Sequence, residues 1–218
     1  MRNKKETVIL LGKGALAIKV AQWFYANPKY KLLTIVPVIP EPSWTDSFKK
    51  WAEATGVPFV ATGHYKDIPE VANTEWSIDL VVSVTYDKII KKWFIEKCKR
   101  IINIHNGPLP RYRGVSPINW ALKNNETTHG VTIHEITPGI DDGPIISQVL
   151  FSIYPEHDEV IDVYKRCLDF GWQLFQYTIP LLNKIPPQKQ NEKNAVYYHH
   201  KQDALLGERR NFTRKMFK

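Results

Sequence analysis

The chain has 218 residues, 43% of them hydrophobic, and a formal net charge of +8, which suits one packed domain with a short appendage. No apolar run reaches the roughly 18–20 residues that span a bilayer, and the basic start Met1–Glu6 leads into only a short strand, so no membrane partner and no signal peptide are expected and a cytoplasmic location is. The excess charge collects at the two ends without an interleaved aromatic–basic patch, so no nucleic acid partner is expected either.

Thr7–Leu11 reads as an apolar strand, Gly12-Lys-Gly-Ala-Leu-Ala as a tight turn, and Leu16–Tyr25 as a helix. This is the opening of a βαβ unit. It makes a poor dinucleotide fingerprint, because Ala17 stands at the third glycine and no acidic residue closes the next strand, Leu32–Val38. After the loop Pro37–Pro42 comes a helix, Trp44–Thr55, opened by Ser43 and stopped by Gly56. A short strand Val57–Ala61 and a loop Tyr65–Asn73 follow. Asp79–Val84 is the most apolar strand of the first half and suits a central parallel position. Ser83–Tyr86 then turns into a basic helix, Lys88–Lys99. The next apolar run, Arg100–Ile104, is a strand that carries Asn103 and His105 at its end.

Glycines 107 and 114 and prolines 108 and 110 forbid both helix and sheet beyond His105, so the chain leaves this strand as a shaped loop. Ser116 caps a helix with Pro117 at its first position. Gly130–Ile136 and Pro144–Ile153 form a hairpin around the loop Thr137–Gly143. Val160–Leu182 is the longest helix, with an apolar stripe at Val163, Cys167, Phe170, Leu174 and Tyr177 that Pro180 ends or kinks. From Lys184 the chain is polar and proline-bearing. The fold class is therefore α/β: a Rossmann-like, doubly wound, mostly parallel sheet with a hairpin extension and a short C-terminal tail. Residues 1–183 are expected to form the catalytic domain and 184–218 a short extension. Cys98 and Cys167 read as free thiols, and no metal-ligand spacing is present, so no metal is expected.

Asn103 and His105 lie two apart at a strand's carboxyl end, so their side chains point the same way, where open α/β sheets place their sites. On the pair alone, a turn-capping amide and a buried structural histidine describe them at least as well. Asp141 and Asp142 of the hairpin loop are candidates to meet His105. A carboxylate fixes an imidazole's tautomer and stabilises its protonated form, and an amide can hold a developing oxyanion. Asn, His and Asp together suggest acyl transfer without a protein nucleophile.

The strand-end Asn-x-His, the following Leu109-Pro-x-Tyr-Arg-Gly and the later Gly139-Ile-Asp-x-Gly-Pro together resemble the 10-formyltetrahydrofolate-dependent formyltransferase family. The resemblance covers Leu80–Ile153 closely and the preceding repeats in outline. It implies a Rossmann-like domain with a catalytic set Asn103, His105 and Asp141. Asp141 rather than Asp142 matches, because the family's aspartate sits two before its glycine, here Gly143. The family binds its folate between the hairpin loop and the turn after the apolar strand, which places Ser83, Val84, Thr85, Tyr86 and Asp142 on the folate side. The implied co-substrate is 10-formyltetrahydrofolate.

Within the family, the loop Arg111-Tyr-Arg-Gly-Val-Ser-Pro-Ile-Asn-Trp and the tail Leu206-Gly-Glu-Arg-Arg-Asn-Phe-Thr resemble enzymes that formylate nucleotide-linked amino sugars. A dTDP-linked amino-dideoxy sugar is the expected acceptor, with Arg111, Tyr112, Arg113 and Trp120 as candidate contacts, through cations for the diphosphate and rings for the base. Phosphoribosylglycinamide formyltransferase is an alternative, although the first turn lacks that enzyme's phosphate loop. A methionyl-tRNA enzyme carries a further C-terminal domain, and about 35 residues after the long helix are too few for one. A non-catalytic folate or nucleotide-sugar binding module is the other alternative. His129 and His134 read as structural. Tyr197, Tyr198, His199 and His200 read as ligand contacts, dimer contacts or surface packing, and the aromatic tail suits a homodimer.

Overall fold

Four parallel strands organise the first part of the chain. The computed structural model describes residues 4–72 and 77–207, and the chain divides into two units, the first holding residues 1–104 and 135–138, the second residues 105–134 and 139–218. In the first unit β1 (Glu6–Gly12) pairs in parallel with β2 (Tyr30–Pro37) on one side and β3 (Leu80–Val84) on the other. β3 pairs in turn with β4 (Ile101–His105). Val8, Ile9, Leu10 and Leu11 are all fully buried, as expected for a parallel strand covered on both faces. Helix α1 (Gly14–Ala26) buries Leu16, Ala17, Val20, Ala21 and Phe24 at helical spacing.

Because β1 lies between β2 and β3, the strand order reverses there. The crevice at the carboxyl ends of β1 and β3 is a topological switch point, the usual ligand position in such sheets. The two ends are tied there by the Lys13 N–H, which donates to the Val84 carbonyl at 3.3 Å.

Three expected elements of this unit differ. Helix α2 spans Phe48–Thr55 rather than starting at Trp44. The Glu41 carboxylate accepts from the Phe48 and Lys49 N–H groups, and Ser47 Oγ accepts from Lys50 N–H. The first-turn donors are thus satisfied four residues later than a Ser43 cap would require. The strand expected at Val57–Ala61 is a single bridge, Phe59 to Ile35. The basic helix expected over Lys88–Lys99 shrinks to one turn, α3 (Lys92–Ile95). The buried Tyr65 hydroxyl donates to the Ile89 carbonyl and accepts from Lys91 N–H, so a side chain takes the backbone groups that a helix would use. Cys98, expected on that helix, instead bridges Ile78.

The second unit begins with His105, the last residue of β4. It holds β5 (Arg113–Gly114), α4 (Pro117–Lys123), β6 (Thr128–Glu135, its last residue in the first unit), β7 (Ile145–Ser152), α5 (Val160–Thr178) and β8 (Tyr197–Tyr198). β6 and β7 form the antiparallel hairpin, with β6 starting two residues earlier than expected. Ser116 does not cap α4 with its side chain. It adopts a left-handed backbone, φ 52°, and only its carbonyl enters the helix ladder. On α5 the buried stripe is Val160, Val163, Cys167, Gly171, Phe175 and Thr178, and Tyr177 is 72% exposed. The expected stripe is rotated by one residue in its second half, because glycine and threonine, not the larger neighbours, face the packing surface.

Residues 188–198 are built into this unit rather than hanging from it. Gln188 and Ile145 exchange both backbone bonds, at 2.7 and 2.8 Å. β8 pairs in parallel with β5, Arg113 against Tyr197 and Gly114 against Tyr198. Of the tail stretch Leu206–Thr213, residues 208–213 lie outside the described residues. Among the described residues no helix is long and apolar enough to cross a membrane.

Candidate active site

The loop after β4 is clamped to the hairpin by polar side chains. Thr132 Oγ donates to the Gly107 carbonyl at 2.7 Å and accepts from Leu109 N–H. Gln148 Nε2 donates to the Leu109 carbonyl at 2.9 Å. His129, fully buried, bonds through Nε2 to the Asn106 carbonyl at 2.9 Å. Burial holds its pKa down to about 4 against the pull of that carbonyl, so His129 is neutral and structural.

This clamp sets His105, which is 7% exposed. Its Nε2 lies 2.6 Å from the Tyr112 carbonyl and its Nδ1 3.5 Å from Asp141 Oδ2. A carbonyl only accepts, so Nε2 carries a proton in this arrangement, and the second ring nitrogen faces a carboxylate. Asp141 reaches a further imidazole: Oδ1 lies 3.4 Å from His134 Nε2, and Oδ2 also accepts from Gly114 N–H at 2.8 Å. Burial by itself would raise the Asp141 carboxyl. The facing His105, His134 and Gly114 N–H outweigh it and hold the group well below the usual carboxylate range. Asp141 is thus an anion fixed between two imidazoles.

His134 was expected to be structural, and the structure brings it to Asp141. It is the penultimate residue of β6, seven residues before Asp141 across the hairpin turn, and a histidine near a strand end just before an acidic loop was the available signal. Asp142 is drawn back over Gly139, where an added Cβ would stand 2.0 Å from its Oδ2. Asn103 occupies β4 two residues before His105, half-buried and paired in register with Ser83 of β3.

At the switch point of the first unit, Ser83 and Val84 are buried. Thr85 takes a left-handed backbone, φ 53°, with its hydroxyl bonded to the Val84 carbonyl. The Tyr86 hydroxyl donates to the Gly63 carbonyl at 2.9 Å and accepts from Tyr65 N–H. Burial raises its pKa above the usual phenol range.

The four candidate substrate contacts fare differently. Arg113 is fully buried, and all five of its guanidinium N–H groups are spent inside the chain. Nε and Nη2 reach Gln190 Oε1, Nη1 and Nη2 reach Glu192, and Nη1 also reaches the Tyr197 hydroxyl. No donor remains for a diphosphate, so Arg113 braces the loop and is not an anion ligand. Tyr112 is buried and Trp120 nearly so, and Tyr198 stacks on both, with ring centroids at 5.5 and 4.6 Å. The Tyr112 hydroxyl donates to Glu126 at 2.8 Å, and burial together with that carboxylate pushes its pKa up to about 12. This stack pins β8 on the loop and leaves neither Tyr112 nor Trp120 a free face as a base platform. Arg111 remains half exposed, paired with Glu126. Among the described residues no group of three His, Cys, Asp or Glu side chains is arranged to hold a metal ion.

One strand end thus bears an amide, Asn103, and a carboxylate-backed imidazole, His105, and comparison with known proteins gives the class. A sequence profile of the formyl transferase family matches residues 58–179, and the chain belongs to this family, the 10-formyltetrahydrofolate-dependent formyltransferases. The methionyl-tRNA formyltransferase of Fusobacterium nucleatum subsp. nucleatum is 29% identical over 202 residues, which cover 87% of this chain and 64% of that protein. The bifunctional polymyxin resistance protein ArnA of Wigglesworthia glossinidia brevipalpis is 35% identical over 133 residues, 59% of this chain and 20% of that protein. The chain thus spans less than two thirds of the length of these relatives. Among solved structures, the sugar 3N-formyltransferase WlaRD, crystallised with dTDP and 5-N-formyl-THF, superposes with a TM-score of 0.77 at 29% identity, over 91% of this chain and 71% of that one. The N-formyltransferase of Helicobacter canadensis, in complex with folinic acid and dTDP-3-aminofucose, gives 0.76 at 27% identity, over 91% and 72%. The Rossmann-like α/β fold expected for the family is the one these neighbours share.

Proposed function

We propose that the chain is an N-formyltransferase acting on the amine of a dTDP-linked amino-dideoxy sugar, such as dTDP-4-amino-4,6-dideoxyglucose. The observation that carries the reaction is the His105–Asp141 pairing, with His134 as second partner of the same carboxylate. 10-Formyltetrahydrofolate supplies the formyl group: the acceptor nitrogen bonds to the formyl carbon, the bond from that carbon to folate N10 breaks, and the amine's proton ends on the departing nitrogen.

The charge of the His105 ring supports the formyl oxygen as negative charge gathers there, and Asn103 offers its amide N–H to that atom. Asp141 holds the ring charged and oriented through that step. Asp141 stays anionic because its partners make protonation costly. The donor set fits a formyl donor: an imidazole and an amide from one strand end suit a carbonyl oxygen. Ser83, Val84, Thr85, Tyr86 and Asp142 are proposed contacts of the folate, the first four mainly through backbone groups. Arg111, the exposed cation of the loop, is the proposed contact of the diphosphate.

The sugar class is supported by the likeness to WlaRD and to the Helicobacter canadensis enzyme, whose structures contain dTDP or a dTDP-linked amino sugar. A second reading, formylation of methionyl-tRNA, is favoured by the sequence relatives that carry that name. The test is formyl transfer followed by mass spectrometry, with 10-formyltetrahydrofolate and a panel of thymidine- and uridine-diphosphate amino sugars, glycinamide ribonucleotide and methionyl-tRNA. A gain of one formyl group on a dTDP-sugar is expected. Transfer to tRNA or glycinamide ribonucleotide alone overturns the acceptor while keeping the chemistry, and folate binding without transfer to any acceptor overturns the enzyme.

A further inference from the structure

Gln190 lies in the segment between α5 and β8, beyond the residues 58–179 that the family profile matches, yet it is 4% exposed and fully engaged. Its Nε2 donates one hydrogen to the Asp141 main-chain carbonyl at 2.8 Å and the other to the Gly143 carbonyl at 2.7 Å. Its Oε1 accepts from Arg113 Nε at 3.0 Å and from Arg113 Nη2 at 2.8 Å. The next residue after Arg113, Gly114, donates its N–H to Asp141 Oδ2 at 2.8 Å. The three groups close a ring: Gln190 to the Asp141 backbone, Asp141's carboxylate to Gly114, and Arg113 back to Gln190.

Asp141 needs such a hold. Its backbone is left-handed, φ 50°, a conformation disfavoured for a residue with a Cβ and kept only where the surroundings over-determine it. The two carbonyls that Gln190 ties belong to the 141–142 and 143–144 peptides, so its amide fixes the two peptide planes that bracket the 142–143 peptide of the turn. Gly114 is set by the same segment. Its φ is +90°, and a Cβ there would stand 2.1 Å from the Tyr198 carbonyl, so β8 passes directly against it.

We propose that Gln190 is a positioning residue for Asp141: its side-chain amide locks the hairpin turn so that the carboxylate stands between His105, His134 and the Gly114 N–H. The consequence for turnover rests on the formyl-transfer reading above. The competing role is service to Arg113 alone, as a neutral acceptor for a buried cation. Gln190→Glu separates the two. A glutamate keeps, and strengthens, the acceptor for Arg113, but it has no hydrogen for the carbonyls of Asp141 and Gly143.

The experiment compares wild type and Gln190→Glu by thermal melting, by steady-state formyl transfer and by the Gly114 amide resonance in 15N–1H NMR spectra. Expected are a cooperative melt at a lower temperature than wild type, since two carbonyls lose their donor, kcat lower by about 10- to 100-fold with little change in either KM, and a shifted, faster-exchanging Gly114 amide. Wild-type kcat with an unmoved Gly114 amide overturns the proposal and leaves Gln190 to Arg113. If the wild type formylates no acceptor offered, the formyl-transfer reading fails separately, and the Gly114 amide still decides the positioning: a shift upholds it and no shift overturns it. If Gln190→Glu does not fold, the wild-type Gln190 Nε2 protons decide. Slow exchange of both, changed by Asp141→Asn, upholds the proposal; exchange of both at the free-solvent rate overturns it.

Discussion

Replacing Asp141 by asparagine removes one negative charge and almost no volume. The amide oxygen can still accept from Gly114 N–H, so the turn keeps its shape, and what is lost is the charge facing His105 and His134. Opposite unit charges 3.5 Å apart, the Nδ1 to Oδ2 separation, attract by roughly 5 kcal/mol at an effective dielectric of about 20. Asp141 is still 16% exposed, and the imidazolium charge is spread over two nitrogens, so about 2–4 kcal/mol is the better figure for the loss when the ring is charged in the transition state. That corresponds to a fall in kcat of about 30- to 1000-fold. Because the substrate binds before the ring's charge matters, both KM values stay near wild type. The assay is steady-state formyl transfer at saturating folate, on protein whose melting temperature is checked first. A folded Asp141→Asn enzyme within about threefold of wild-type kcat would refute the electrostatic role.

Three further outcomes follow from the same geometry. His129, held down to about 4 by burial, takes its proton in the unfolded chain before it does in the folded one, so stability falls as pH drops from about 6.5 toward 4, by roughly 2–3 kcal/mol in all. His129→Gln should flatten that slope in melts across this range, and an unchanged slope would count against a neutral buried ring. Asp141 is shifted in the same direction at lower pH: its carboxyl lies below the unfolded value, so its stabilisation is full above about pH 4 and is lost as pH falls further, a loss that Asp141→Asn should not show in acid melts. Arg113→Met leaves the buried Gln190 oxygen without its donors and should lower stability by about 1–3 kcal/mol in chemical denaturation; Arg113→Lys should recover little, since one ammonium cannot reproduce a five-donor fork, and a full rescue by lysine would contradict the brace assigned to it.

Much of the candidate site is legible in the sequence. Asn103 and His105 stood out because a strand ending in an amide and an imidazole runs straight into a Pro-Gly loop that cannot continue as sheet, a local conflict that periodicity makes visible. Asp141 over Asp142 came from the motif's spacing to Gly143. His134 was hidden because its role depends on which way a hairpin turn folds its carboxylate, and strand alternation says nothing about that. Gln190 was hidden for a stronger reason: one glutamine in a polar, proline-bearing stretch carries no periodic signal, and its partners lie 77 residues away at Arg113 and 49 residues away at Asp141. Arg113 misled because a guanidinium in a loop reads the same whether it faces solvent or is consumed by Gln190, Glu192 and Tyr197.

What the sequence by itself determined is whatever depends on neighbours a few residues apart: the buried strands β1 and β3, the helices α1 and α5, the loop that must leave β4, and the Asn-x-His pair. The tertiary structure decided where competing local choices were nearly equal in energy or where partners came from afar. Tyr65 ended the helix expected over Lys88–Lys99 by capturing its backbone groups, and Glu41 moved the start of α2 to Phe48 by satisfying its first donors. The segment 188–198, polar enough to read as a tail, is ordered because Arg113 and the backbone of the 110–115 loop offer it hydrogen bonds that water would otherwise fill. Helix periodicity and turn chemistry are written within a few residues, whereas the pairing of buried polar groups is settled only when the chain closes on itself.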